Sequence, residues 1–242
     1  MKKHFLFGTI CCLAVFYLTA GDKNLVIDSA ILGTKTKIEV FHLGAEESIT
    51  SIMYFTDGEK LLRAGYIERL QALFKAGKIP PVYLAFVSSV DLKDNIDKRN
   101  TYFFCNPDYL SFFEKEVLPQ TEQLIGKSFI SANRTLVGIS FGGLNAAWFS
   151  AKSNAFQNYA LLSPVTYPCK TVIADISFSQ NERLNIYIST GVNDAENYVG
   201  PLQGIYKSKG YNIHSEKTNG GHDFENWARQ LETLFTFFYH PK

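Results

Sequence analysis

The sequence predicts an α/β fold: a mostly parallel central sheet with helices on both faces and no large lid domain. Three observations carry this. Strand-patterned and helix-patterned segments alternate along most of the chain, the order that builds parallel strands with crossover helices. Several strand segments, such as Val82-Tyr83-Leu84-Ala85-Phe86-Val87 and Tyr159-Ala160-Leu161-Leu162, are unbroken apolar runs, as expected of strands covered on both faces. Finally, Gly138-Ile139-Ser140-Phe141-Gly142 stands between an apolar strand and a helix-patterned run, the context in which Gly-x-Ser-x-Gly acquires chemical meaning.

The elements follow in order. Residues 24–32 and 35–42 alternate polar and apolar side chains and read as two antiparallel strands at the sheet's edge, joined near Gly33. Ile49 to Phe55 is more apolar and reads as a central strand, running into the turn Thr56-Asp57-Gly58-Glu59. Leu61 to Ala76 carries Leu62, Ile67, Leu70, Leu73 and Phe74 at helical spacing and stops at Gly77. After the strand at 81–87, residues 88–106 form a polar connection, a place where such folds often keep binding loops. A helix is predicted over 108–125, capped by Asn106 or Asp108 and kinked by Pro119. Strand 134–139, helix 141–152 and strand 159–164 follow, then a short helix over 171–179, strand 184–190, helix 197–208 and strand 211–218. A Gly-rich loop, Asn219 to Asp223, leads into an amphipathic closing helix, Phe224 to Tyr239.

Composition fits one domain. The 242 residues are 46% hydrophobic and 19% charged, with a net charge of +1, so no electrostatic footprint for nucleic acid is present. Residues 1–20 are read apart from the fold. A basic head, Met1-Lys2-Lys3-His4, precedes an apolar stretch from Phe5 to Leu18 and a small residue, Ala20, the pattern of a secretory signal peptide. An uncleaved anchor is disfavoured by the short apolar stretch. Lipidation at Cys11 is disfavoured because no small residue directly precedes it. The expectation is a signal peptide at 1–20, one domain over 21–242, and a secreted or periplasmic location. Cys105 and Cys169 then lie in a compartment that permits a disulfide between them, although sequence leaves open whether they meet. Neither has neighbours at metal-ligand spacing, so no metal site is expected.

Three loops follow predicted central strands and share one rim of the sheet, where ligands of open α/β sheets bind. They carry Ser140, Asp194 and His222. That chain order, serine then acid then histidine, is the order of α/β-hydrolases. In such a site the histidine takes the serine proton and the acid fixes the imidazole. Glu196 rivals Asp194 as the acid, and Asp223 reads as the cap of the closing helix. The oxyanion hole needs two N–H donors. Phe141, next after the serine, supplies one, and the turn Asp57-Gly58-Glu59 the other, with Gly58 and Glu59 both open on physical grounds. Tyr102, Phe103, Tyr198 and Trp227 are candidates to border the cleft, with core packing the default for each.

Three pieces of the chain resemble one family. They are Tyr54-Phe55-Thr56-Asp57-Gly58, Gly138-Ile139-Ser140-Phe141-Gly142-Gly143, and Gly220-Gly221-His222-Asp223-Phe224-Glu225-Asn226-Trp227. Together they are similar to the Putative esterase family of α/β-hydrolases, related to human esterase D and including enterochelin esterases, feruloyl esterases and mycolyltransferases. The resemblance spans about residues 29–239 and implies that the N–H of Glu59 is the second oxyanion donor. It departs at Arg99-Asn100-Thr101-Tyr102, where Thr101 replaces a common glutamate, which leaves the usual partner of the arginine in question. The expected activity is a serine carboxylic-ester hydrolase acting through an acyl-enzyme on a bulky small-molecule or carbohydrate ester. An acyltransferase with the same triad and an inactive binding protein are the alternatives. No cofactor is implied, because the triad supplies its own base and electrophile. No nucleic-acid partner is expected, nor a membrane partner after signal cleavage.

Overall fold

The computed structural model describes residues 23–239. The signal-peptide reading of residues 1–20 lies outside the described residues. The strands are β1 (Lys23–Asp28), β2 (Lys35–Leu43), β3 (Ile52–Phe55), β4 (Val82–Asp91), β5 (Ile96–Asp97), β6 (Arg134–Ile139), β7 (Asn158–Leu162), β8 (Asn185–Gly191) and β9 (Asn212–Thr218). They form one sheet in the order β1-β2-β4-β3-β6-β7-β8-β9, with β5 paired to the end of β4. The β1–β2 and β2–β4 pairs are antiparallel, and every pair from β4–β3 to β8–β9 is parallel. The two alternating segments therefore do sit on the antiparallel edge, and β3 is central.

Period-two alternation divides the sheet's side chains between two cores. Tyr54, Leu136, Leu161 and Ile188 face one layer, built by α3 (Arg99–Phe103), α4 (Pro107–Phe112), α5 (Leu118–Ile125), α6 (Phe141–Lys152), α7 (Val172–Phe178) and α8 (Glu196–Ser208). Met53, Phe55, Val137 and Leu162 face the other, built by α1 (Gly58–Arg63), α2 (Tyr66–Lys75), α9 (Phe224–Arg229) and α10 (Leu231–Tyr239). Among the described residues no helix is long and apolar enough to cross a membrane.

Several boundaries differ from the sequence expectation, each for a local reason. The helix predicted over 61–76 starts earlier and is two helices, broken where Gly65 takes φ 77°. The single helix over 108–125 is α4, a five-residue π-helical turn over 113–117, and α5. Pro119 has no N–H, and its ring would meet a carbonyl one turn back. The wider turn accommodates both, in place of a simple kink. The closing helix is divided near Gln230 into α9 and α10. The connection over 88–106 is not plain loop: β4 continues to Asp91, β5 returns along it, and α3 follows.

Candidate active site

Ser140 stands between β6 and α6 at φ 58° and ψ −116°, a backbone region that non-glycine residues avoid. Its neighbours make that turn possible. A Cβ on Gly138 would lie 1.9 Å from the carbonyl oxygen of Gly142, and one on Gly142 would lie 2.6 Å from Thr56 Oγ1. The strand, the turn and the first turn of α6 thus press together only because these residues lack side chains. The Ser140 N–H donates to the Leu162 carbonyl at 2.9 Å, which fixes the turn to the end of β7.

His222 and Asp194 come from the loops after β9 and β8. His222 Nε2 lies 2.9 Å from Ser140 Oγ, and Nδ1 lies 2.5 Å from Asp194 Oδ1. With the proton on Nδ1, the ring donates to Asp194 and accepts from the serine hydroxyl. The Asp194 side chain is 2% exposed, whereas that of His222 is 41% exposed. The imidazole therefore faces solvent while the carboxylate is enclosed.

The Asp194 carboxylate is held from behind. Asp194 Oδ2 accepts from the Ser163 hydroxyl at 2.5 Å and from the Gly191 N–H at 3.1 Å. Ser163 Oγ in turn accepts from Trp227 Nε1–H at 2.8 Å. The edge of the Trp227 and His222 pair closes the circle, with ring centroids 4.8 Å apart and planes at 86°. One polar chain thus runs from Trp227 through Ser163, Asp194 and His222 to Ser140. Glu196 is turned away: its carboxylate meets Lys217 Nζ at 2.8 Å and accepts from the Asn193 N–H. The Lys217 hydrogen bond, helped by that N–H, holds its carboxyl below the usual range. Asp223 caps α9, its Oδ1 accepting from the Asn226 N–H at 2.8 Å.

Phe141 is the first residue of α6 and Glu59 the second of α1, positions whose N–H groups find no acceptor in their own helices. The two helix starts adjoin because β3 and β6 are paired neighbours and Gly142 packs on Thr56. Both helices direct the positive ends of their dipoles to the same rim.

Beside that rim Asp57, at φ 55°, is joined by Arg99: Nε and Nη2 donate to its two oxygens at 3.0 and 2.9 Å. Asp57, Glu59 and Asp97 bring carboxylate oxygens within 4.8 Å of one another. Lys60 Nζ sits among all three, at 2.8, 3.1 and 2.8 Å, so that with Arg99 two side-chain cations serve three carboxylates.

Of the aromatic candidates, Tyr102 and Phe103 are core, at 3% and 0% exposure, and Trp227 is buried behind His222. Tyr198 lies beside Tyr167, which is 60% exposed and packs on Phe141, and Phe141 packs on Phe104. Cys105 and Cys169 are bonded, with Cα atoms 6.0 Å apart. Each follows one of these aromatics closely, so the bridge joins the loops carrying Phe104 and Tyr167. Sequence reasoning missed Ser163, Phe104 and Tyr167, and it named Arg99 without its partner. Ser163, placed directly after a central strand like Ser140, was the one with a visible signal.

The site geometry and the fold meet in the comparison with known proteins. The Putative esterase family model matches residues 29–238. The chain belongs to that family. Its structure is similar to that of the enterobactin esterase from Shigella flexneri solved with enterobactin, at 19% identity and a TM-score of 0.81, covering 91% of this chain and 60% of that one. A ferulic acid esterase matches at 16% identity and TM-score 0.72, over 91% and 98% of the two chains. An IroE-like serine hydrolase from Shewanella oneidensis matches at 17% and 0.70, over 91% and 79%. These likenesses are likenesses of fold. The chain spans about 60% of the Shigella enzyme's length. No curated protein sequence matches it significantly.

Proposed function

We propose that this protein is a secreted or periplasmic serine carboxylic-ester hydrolase that works through Ser140, His222 and Asp194. The observation that carries the reading is the unbroken relay of 2.9 and 2.5 Å contacts from Ser140 through His222 to an enclosed Asp194. Ser140 Oγ attacks the ester carbonyl carbon as its proton passes to His222 Nε2. The carbonyl oxygen becomes an oxyanion between the N–H groups of Phe141 and Glu59. The tetrahedral adduct expels the alcohol, which takes the proton from His222 and leaves an acyl-Ser140. Water, deprotonated by the same imidazole, then releases the acid and restores the serine. Asp194 keeps the Nδ1 proton in place and stabilises the imidazolium formed in each half-reaction.

Exposure supports the substrate class. His222 faces solvent and aromatic side chains line the rim on the Phe141 side, so a bulky ester reaches Ser140 without entering a closed chamber. A siderophore or carbohydrate acyl ester fits that description, and the named activities of the Shigella and ferulic acid enzymes are consistent with it. Acyl transfer to a sugar hydroxyl uses the same triad, and the open approach to His222 favours it as the second reading. The apolar stretch at the N-terminus and the paired Cys105 and Cys169 support export to an oxidising compartment.

The decisive experiment is active-site titration. A fluorophosphonate should label the wild type once per chain and leave Ser140→Ala unlabelled. Equal labelling of both would remove Ser140 from the mechanism. A panel of p-nitrophenyl, feruloyl and acetyl-sugar esters and a siderophore trilactone, with products analysed for transfer, then assigns the acyl acceptor.

A further inference from the structure

We propose that Arg99 is a positioning residue that holds the two oxyanion donors, the N–H groups of Glu59 and Phe141, in register. The inference rests on the esterase reading above. Arg99 reaches both halves of the hole at once. Its guanidinium forks onto Asp57 at 3.0 and 2.9 Å, and Asp57 stands two residues before Glu59 in a left-handed conformation. The same guanidinium lies 5.1 Å from the centroid of the Phe141 ring. A single planar cation therefore spans the start of α1 and the start of α6.

The chemistry explains why an arginine is required. The Asp57 side chain is 6% exposed, and a carboxylate so enclosed is costly unless it is paired. Lys60 meets only Oδ1, so Oδ2 depends on the fork. The guanidinium carbon sits over the Phe141 ring at 5.1 Å, a contact that a weakly hydrated planar cation makes more readily than an ammonium. On the far side of Gly58 the Glu59 carboxylate is tied to the Ser89 N–H at 3.0 Å. The peptide carrying the Glu59 N–H is thus anchored on both sides, and Gly58 admits no side chain, since a Cβ there would lie 2.5 Å from the Phe86 backbone. Thr101 supplies no carboxylate, and Asp57 is the partner that the sequence left in question.

The test compares wild type, Arg99→Met and Arg99→Lys on one p-nitrophenyl ester, with thermal melts and the affinity for phenylboronic acid, whose tetrahedral adduct places an oxygen in the hole. Arg99→Met should lower kcat about 10- to 100-fold with KM nearly unchanged, and weaken boronate binding in parallel. Arg99→Lys keeps the charge but not the planar fork, and should lose nearly as much. Should Arg99→Met not fold, Arg99→Lys decides alone. Wild-type kcat in a folded Arg99→Lys overturns the inference, and so does a loss confined to KM, which would make Arg99 a ligand for an anionic substrate. If the wild type neither labels with fluorophosphonate nor turns over any ester, the esterase reading itself falls.

Discussion

Asp194 and Glu196 lie two residues apart where the loop after β8 enters α8, yet their surroundings are opposite. Asp194 accepts from Ser163 and the Gly191 N–H and faces His222, while Glu196 is exposed and bound to Lys217. Sequence could rank the two but not separate them, because loop geometry decides which side chain turns inward. The difference is measurable. Asp194→Asn preserves shape but offers an amide to Nδ1, which favours the wrong tautomer, and kcat should fall by about 10⁴-fold. Glu196→Gln removes only a surface pair and should leave kcat near wild type. Steady-state kinetics on one soluble ester checks both. The reverse pattern would make Glu196 the acid. Ser163 offers a finer probe. Ser163→Ala leaves Trp227 Nε1–H without its acceptor and Asp194 Oδ2 with one donor fewer, in a position where net losses run about 1–3 kcal/mol. Lower thermal stability and lower kcat are expected together.

At the level of elements, the legible and illegible parts of the chain have different physical origins. Strands β3, β4, β6, β7 and β8 and helix α6 were legible because each is an apolar run with a sharp glycine or polar boundary. The rim followed, since parallel strands put their following loops on one edge. What periodicity could not show was interruption inside helical segments. Gly65, the π-helical turn before Pro119 and the division at Gln230 all leave the apolar pattern nearly in phase. The connection over 88–106 was misread for a related reason: its order comes from polar contacts such as Arg99 with Asp57, which have no period. Glycine contacts between loops were hidden as well. A Cβ on Gly191 would lie 2.0 Å from the Gly220 carbonyl oxygen, so the acid loop and the histidine loop touch through backbone. Gly191→Ala must push these loops apart. Overpacking of this kind costs about 1–3 kcal/mol, and a displaced imidazole costs about 10²-fold in rate. A melt and a fluorophosphonate labelling rate measured together should both fall; unchanged labelling would show that the loops yield without moving His222.

For the whole molecule, the Cys105–Cys169 bridge couples stability to the shape of the cleft. It joins residues 64 apart in sequence, linking the segment after α3 to the segment before α7 across the α6 side of the sheet. Cross-linking a loop of that size restricts the unfolded chain by about 4 kcal/mol in the chain-entropy account, with measured values typically about 2–4 kcal/mol. The bridge also has a local consequence, because Phe104 precedes Cys105 directly and Tyr167 stands two residues before Cys169. Those rings flank Phe141 at 4.9 and 5.8 Å. The double variant Cys105→Ser, Cys169→Ser should therefore unfold at lower denaturant. It should also lose activity on bulky esters selectively. Acetyl esters, too small to reach the aromatic rim, test the triad alone and should be cleaved at near wild-type rates. Treating the wild type with a small dithiol, which converts the bridge to two thiols as the dithiol cyclises to its own disulfide, should reproduce the change. A variant that lost stability but kept its bulky-to-acetyl activity ratio would confine the bridge to restricting the unfolded state. One that lost both activities equally would place the effect at Ser140 instead of at the rim.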